Sequence, residues 1–145
     1  MRTTDKNIHS LQFLIGKWNT QGEIKADGRN PAFRIAGRDT YEWTLDKTFI
    51  LHKVDVMMGK EKNEAIELIG EFDSETNMYS MRSFDNQGKF VTMKGQLDET
   101  DAYHITGDGI RSTLSVIDEN NMSAHWEKLD DKQQWQPWMD LVFSK

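Results

Sequence analysis

Regularly spaced turn clusters constrain this chain more than any other feature of its sequence. Short groups rich in Asp, Asn, Ser, Thr and Gly begin at Asp73, Asp85, Asp98, Asp118 and Asp130. Most lie 12 or 13 residues apart, and Gly107-Asp108-Gly109 supplies a further turn in the one longer gap. Runs this short between such turns are typical of strands joined by hairpins. No run is long enough for the crossover helix that parallel strands need.

Between the turns, apolar and polar residues alternate. In one run Ile50, Val54, Val56 and Met58 share one parity, and the runs on either side show the same pattern. Such alternation predicts a sheet with one dry face and one wet face. We expect ten strands, at 17–25, 32–44, 48–58, 64–73, 78–84, 89–97, 102–107, 110–117, 122–129 and 135–144.

A short helix is expected before the first strand. Ile8, Leu11, Leu14 and Ile15 follow helical spacing, and Gly16 is a plausible stop. The predicted fold class is therefore all-β, an antiparallel up-and-down barrel of about ten strands with a short N-terminal helix, forming one domain over residues 1–145. Eight strands already leave an interior just filled by side chains, so ten predict some unfilled space.

Composition restricts the partners. The net charge is −6, which argues against nucleic acid, because phosphate binding needs a basic patch. The chain has no cysteine, which removes thiol catalysis and thiolate metal sites. No stretch is apolar enough for a membrane span or a signal peptide. The expected location is the cytoplasm, and no metal site is expected.

The segment Leu11-x-x-Leu14-x-Gly16-x-Trp18 sets a short apolar helix directly before a Gly-x-Trp. It resembles the start of the calycin superfamily, the lipocalins and fatty-acid-binding proteins, and the whole chain is most similar to bacterial lipocalin-like barrels of unknown function. The resemblance implies structural roles for Gly16 and Trp18, with the helix closing the base of the barrel and the Trp plugging it. It also implies a basic residue over that Trp, with Lys145, Lys128 and Arg111 as candidates.

The haem-binding nitrobindins share this general plan, and haem is therefore an alternative ligand. Their haem-ligating His lies near the C-terminus, whereas residues 135–145 contain no His. We accordingly expect no cofactor.

Two polar residues share the apolar parity of their strands. His52 is in phase with Ile50 and Val54, and Asp39 is in phase with Tyr41. An inward carboxylate is costly unless it is paired, and His52 or Arg82 could pair with Asp39. The residues expected to contact a ligand are His52, Tyr41, Trp43, Phe72, Met93 and Trp126.

These observations predict that the barrel binds a small, largely apolar molecule, with a polar contact from His52. An alternative is a small-molecule enzyme, isomerase or hydrolase-like, that uses Asp39 and His52 as its acid–base pair. A third reading is an interaction protein without a ligand. In that case Trp135 and Trp138 would form a subunit contact, and the chain would be a homodimer.

Overall fold

The computed structural model describes residues 7–145, which form a short helix followed by a strand meander. The helix is a 3-10 helix (Ile8–Leu14) that begins after Asn7, whose side chain accepts a hydrogen bond from the backbone N–H of His9 at 2.8 Å. The strands are β1 (Gly16–Ile24), β2 (Phe33–Thr44), β3 (Phe49–Met58), β4 (Glu61–Asp73), β5 (Met78–Asp85), β6 (Phe90–Leu97), β7 (Tyr103–Gly107), β8 (Ile110–Asp118), β9 (Asn121–Leu129) and β10 (Trp135–Ser144). The predicted strand bounds agree with these to within three residues.

The ten strands form a closed antiparallel barrel, which confirms the predicted fold class. Each strand pairs with the next along the chain, and β1 pairs with β10 to close the ring. Closure leaves none of these ten strands with an unpaired edge, the kind of edge on which other chains can aggregate. Within residues 7–145, no helix is long and apolar enough to cross a membrane.

One end of the barrel, here called the base, is covered by the 3-10 helix. Leu11 and Leu14 from the helix pack with Trp18 and with side chains from most strands in the larger of two buried apolar clusters. The ring nitrogen of Trp18 donates to the Leu14 carbonyl oxygen at 2.8 Å, which ties the helix to β1. The base is therefore a packed core.

Gly16 begins β1 rather than ending the helix. Its φ is +146°, and a Cβ there would lie 2.7 Å from Cε of Lys145. The Lys145 ammonium lies 4.6 Å from the centre of the Trp18 ring, so Lys145 is the basic residue over that Trp. The other two candidates cover different rings, Arg111 over Trp135 and Lys128 over Trp138. A side chain at position 16 would displace Lys145 from Trp18.

The second buried cluster lies toward the opposite end of the barrel and is smaller. Ile35, Val56 and Met139 form it, with partly buried residues such as Trp126 and Trp138 packed around them. The two clusters do not fill the interior, and the space between them is the cavity described next.

Candidate functional site

The barrel encloses a cavity of about 190 Å³. Every one of the ten strands contributes at least one side chain to its wall. Most of the wall is aliphatic or methionine. The lining residues are Thr20, Ile35, Asp39, Tyr41, His52, Val54, Val56, Met58, Ala65, Glu67, Met81, Ser83, Met93, Ile105, Ser112, Leu114, Ala124, Trp126, Met139, Leu141 and Phe143.

On one side of the cavity, His52 lies between two carboxylates. Its Nε2 is 2.6 Å from Oδ2 of Asp39, and its Nδ1 is 2.9 Å from Oε1 of Glu67. Strand register produces the arrangement, since Tyr41, His52 and Glu67 are cross-strand neighbours on β2, β3 and β4. Both carboxylate side chains are 8% exposed and the imidazole is 12% exposed. The three side chains, here called the carboxylate–histidine cluster, are largely removed from water.

The cluster holds its histidine protonated at neutral pH. Burial alone lowers the pKa of His52, but the hydrogen bonds and negative charges of Asp39 and Glu67 outweigh burial and raise that pKa to about 9. An imidazolium can donate from both nitrogens at once, and both nitrogens here face a carboxylate oxygen. Two carboxylates and one imidazolium leave the cluster with one net negative charge.

Two neighbours complete the cluster. The Thr20 hydroxyl donates to Oδ1 of Asp39 at 2.6 Å, so both oxygens of that carboxylate are bonded. The Tyr41 ring stacks on the His52 imidazole, with centroids 3.9 Å apart and planes 7° apart. Burial and the two nearby carboxylates raise the pKa of Tyr41 well above its usual value, so its phenol stays neutral. Oε2 of Glu67 accepts no hydrogen bond from residues 7–145.

A second pair of polar groups lies on another part of the wall. The Ser112 hydroxyl and the Trp126 ring nitrogen are both buried, and neither bonds to any group of the described chain. The two residues are direct cross-strand partners on β8 and β9. In a ring of ten strands, β8 lies opposite β3, so this pair is across the cavity from His52.

The structure places most of the sequence-predicted ligand residues at the cavity. His52, Tyr41, Met93 and Trp126 line it, and so does Asp39. The two predicted acid–base residues are in direct contact. Arg82, the other partner considered for Asp39, instead binds Glu71 outside the barrel.

Trp43 and Phe72, the other two residues expected to contact a ligand, lie elsewhere in the structure. Both pack against the larger cluster at the base, where Trp43 contacts the ring of His9 and Phe72 contacts that of Tyr79. They have the inward parity expected of them, but they lie at the helix-covered end of their strands. Parity gives the face of a strand and not the depth along the barrel.

Glu67, Thr20 and Ser112 were missed. Apolar alternation over residues 64–73 puts Ile66 and Leu68 on the inner face and Glu67 on the outer one, whereas in the structure Ile66 and Leu68 are exposed and Glu67 is buried. The register of β4 against β5 shifts between Gly70 and Asp73. That bulge reverses the parity, so counting back from Phe72 gives the wrong face. The one available signal in the sequence is that Ile69, an apolar residue, shares its parity with Glu67.

The remaining histidines on strands bind acidic residues on the outside of the barrel. His125 pairs with Asp140 at 2.5 Å, and His104 pairs with Asp98 at 2.6 Å. On the same strand as His125, Glu127 accepts a hydrogen bond from Arg111. Within residues 7–145, no group of three or more His, Cys, Asp or Glu side chains could hold a metal ion.

Comparison with known proteins gives a family and a fold. No curated protein matches the chain in sequence. The crystal structure of Rv2717c from M. tuberculosis is similar in fold, with a TM-score of 0.73 over 95% of this chain and 96% of that one, at 12% sequence identity. A family model described as "Protein of unknown function (DUF1579)" matches residues 3–145. The chain therefore belongs to the DUF1579 family of proteins of unknown function.

Proposed function

We propose that this protein binds a compact, largely apolar small molecule inside its barrel. The observation that carries the proposal is the cavity of about 190 Å³, walled mainly by aliphatic and methionine side chains from all ten strands. Ligand sites are usually concave and mostly apolar, with a few placed polar groups. Methionine suits such a wall because its side chain adapts to irregular shapes.

The size of the cavity limits the ligand. Engineered apolar cavities of about 150 Å³ bind benzene. A cavity of about 190 Å³ therefore suits a molecule with one ring and a small substituent. A long fatty-acid chain is too large for it.

The polar contact with the ligand differs from the one expected of His52. Both nitrogens of that ring face carboxylate oxygens, so no nitrogen is left for a ligand. Ligand contact on this side falls to the Tyr41 ring and to Oε2 of Glu67. The same geometry disfavours haem ligation by His52, because iron needs a nitrogen lone pair.

The enzyme alternative has less support than binding. A general base needs a free lone pair near the operating pH. Hydrogen bonds to two carboxylates and a pKa of about 9 keep His52 protonated on both nitrogens. The cluster is better suited to set the charge of the cavity wall than to transfer a proton.

Calorimetric titration with α-methylstyrene tests the proposal. We expect a dissociation constant below about 1 mM, which corresponds to about −4 kcal/mol. Ala124 lines the cavity, so Ala124→Leu should fill it and abolish binding. Ala36 lies on the exposed face of β2, and Ala36→Leu is the matched control that should bind as the parent does. No binding by the parent chain, or equal binding by both variants, would refute the proposal.

A further inference from the structure

Resting on the proposed function, we infer that the ligand is neutral and carries a hydrogen-bond acceptor oxygen that Trp126 and Ser112 hold. Ketones, esters, amides and ethers of one-ring size form this chemical class. The inference depends on two donors on one wall that have no partner in residues 7–145, and on a negative charge on the opposite wall.

The two donors are the first part of the argument. Buried polar groups almost always have a hydrogen-bond partner, and exceptions call for an explanation. The Trp126 ring nitrogen and the Ser112 hydroxyl are both buried and have no hydrogen-bond partner in the described chain. Ser112 as a whole is only 3% exposed. Both residues line the cavity. A ligand in the cavity can supply the missing partner.

The chemistry of the two groups specifies that partner. An indole N–H can only donate, whereas a hydroxyl can donate or accept. Ser112 and Trp126 are cross-strand partners, and side chains directly opposite on neighbouring strands lie close together. Both groups can donate a hydrogen bond, so together they suit one acceptor oxygen with two lone pairs.

The carboxylate–histidine cluster determines the charge of the ligand. It carries one net negative charge on the side of the barrel across from Ser112, and it is largely buried. Charges interact more strongly in such an interior than in water. An anionic ligand would lose its hydration and also meet this negative charge. The acceptor oxygen should therefore belong to a neutral group.

Three probes of nearly equal shape test the inference. Acetophenone carries a carbonyl oxygen, α-methylstyrene replaces that oxygen with CH₂, and benzoate replaces the methyl ketone with a carboxylate. Calorimetry should show acetophenone binding about tenfold more tightly than α-methylstyrene, or about 1.4 kcal/mol. Benzoate should not bind at concentrations at which acetophenone saturates the protein.

Two variants remove the donors. Trp126→Phe keeps an aromatic ring without the N–H, and Ser112→Ala removes the hydroxyl. Each should lower the ratio of acetophenone affinity to α-methylstyrene affinity toward one. A change in cavity volume affects both probes alike, so the ratio isolates the hydrogen bonds. Ser112→Ala is nearly isosteric and serves if Trp126→Phe does not fold.

Matched controls exist for both variants. Ser83 also lines the cavity, but its hydroxyl bonds the Val91 carbonyl oxygen at 3.4 Å. Trp138 packs edge-on against Trp126 and does not line the cavity. Ser83→Ala and Trp138→Phe should leave the affinity ratio unchanged.

The outcomes separate the two proposals. If α-methylstyrene binds but acetophenone shows no advantage, or if both donor variants keep the advantage, the inference is wrong and the proposed function stands. Benzoate binding as tightly as acetophenone overturns the neutral-ligand part. If no probe binds, the proposed function fails, and the inference fails with it.

Discussion

The base and the cavity half of this barrel differ in whether their buried polar groups have hydrogen-bond partners. At the base three fully buried polar side chains are bonded within the protein: the Trp18 ring nitrogen to Leu14, the Tyr79 hydroxyl to the Asn7 carbonyl, and the Tyr103 hydroxyl to the Met81 sulfur. In the cavity half Ser112 and Trp126 have buried donors without partners in residues 7–145. The base is a structural core whose buried donors are used within the protein. The cavity half has buried donors that the described residues do not use.

The two halves also differ in charge. Trp18, Tyr79 and Tyr103 at the base are neutral and at most 1% exposed. The cavity wall contains two carboxylates and an imidazolium, which are expensive to bury unless they are paired and hydrogen-bonded. A fold that needed only stability would gain little from them. Under the proposed function, the cost of burying these groups is explained by a role at the cavity.

The largest effect is expected from opening the base. Trp18→Ala should lower the free energy of unfolding by about 3–5 kcal/mol, because it removes a buried ring and leaves a cavity. Denaturant unfolding measures the loss. Trp135 is partly exposed near the other end, and Trp135→Ala should cost clearly less. Equal costs for the two variants would show that the base is no more important to stability than the rim.

The pH dependence of stability should come from the cavity half. The folded-state pKa of His52, about 9, lies above the usual value of 6.5. A raised pKa means that the folded chain holds this proton more tightly, so the stabilisation is complete below about pH 6.5 and is lost as pH rises through about 9. The loss should reach about 3 kcal/mol at most. Tyr41 does not titrate in this window because its pKa is raised well above its usual value.

Urea unfolding at several pH values between about 6 and 9.5 measures that slope. His52→Gln should remove most of it. His125 is exposed on the outside of the barrel, and His125→Gln is the matched control that should keep it. A parent stability that does not change between these limits would contradict the charge state assigned to the cluster.

The smallest expected effect is a difference in stability between variants that remove two hydroxyl groups of the cavity wall. Thr20 donates to Asp39, and Thr20→Val should cost about 1–3 kcal/mol because one carboxylate oxygen is left without its donor. Ser112 has no partner in the described chain, so Ser112→Ala should be neutral or stabilising by up to about 1 kcal/mol. Thermal unfolding of the two variants without ligand tests the difference in sign. A loss in Ser112→Ala equal to that in Thr20→Val would contradict the unpartnered state of Ser112.

The sequence was sufficient to predict the barrel because alternation and turn chemistry are local properties. On β3 the pattern correctly put His52, Val54 and Val56 on the inner face. No residue of β3 departs from its register with β2 or β4. Where a strand runs without a bulge, parity alone assigns the face of every side chain.

The composition of the site was harder to predict, because it depends on register between strands. Glu67 was hidden by the bulge after Gly70. The doubly bonded state of His52 requires knowing that Glu67 and His52 are cross-strand partners, which no single strand reveals. Ser112 could not be identified from the sequence for a similar reason. What distinguishes it is that its hydroxyl has no hydrogen-bond partner in the described residues, and only the structure shows this.

The order of strand pairing has a consequence for how the cavity forms during folding. Within residues 7–145, nine pairings join consecutive strands by short connections, and only the pairing of β1 with β10 joins distant parts of the chain. Contacts between distant segments carry a higher entropy cost and form more slowly. Because all ten strands contribute to the cavity wall, the cavity is complete only once this seam closes. A molecule bound in the cavity would then slow the separation of β1 from β10, although it does not contact the turns between the other strands.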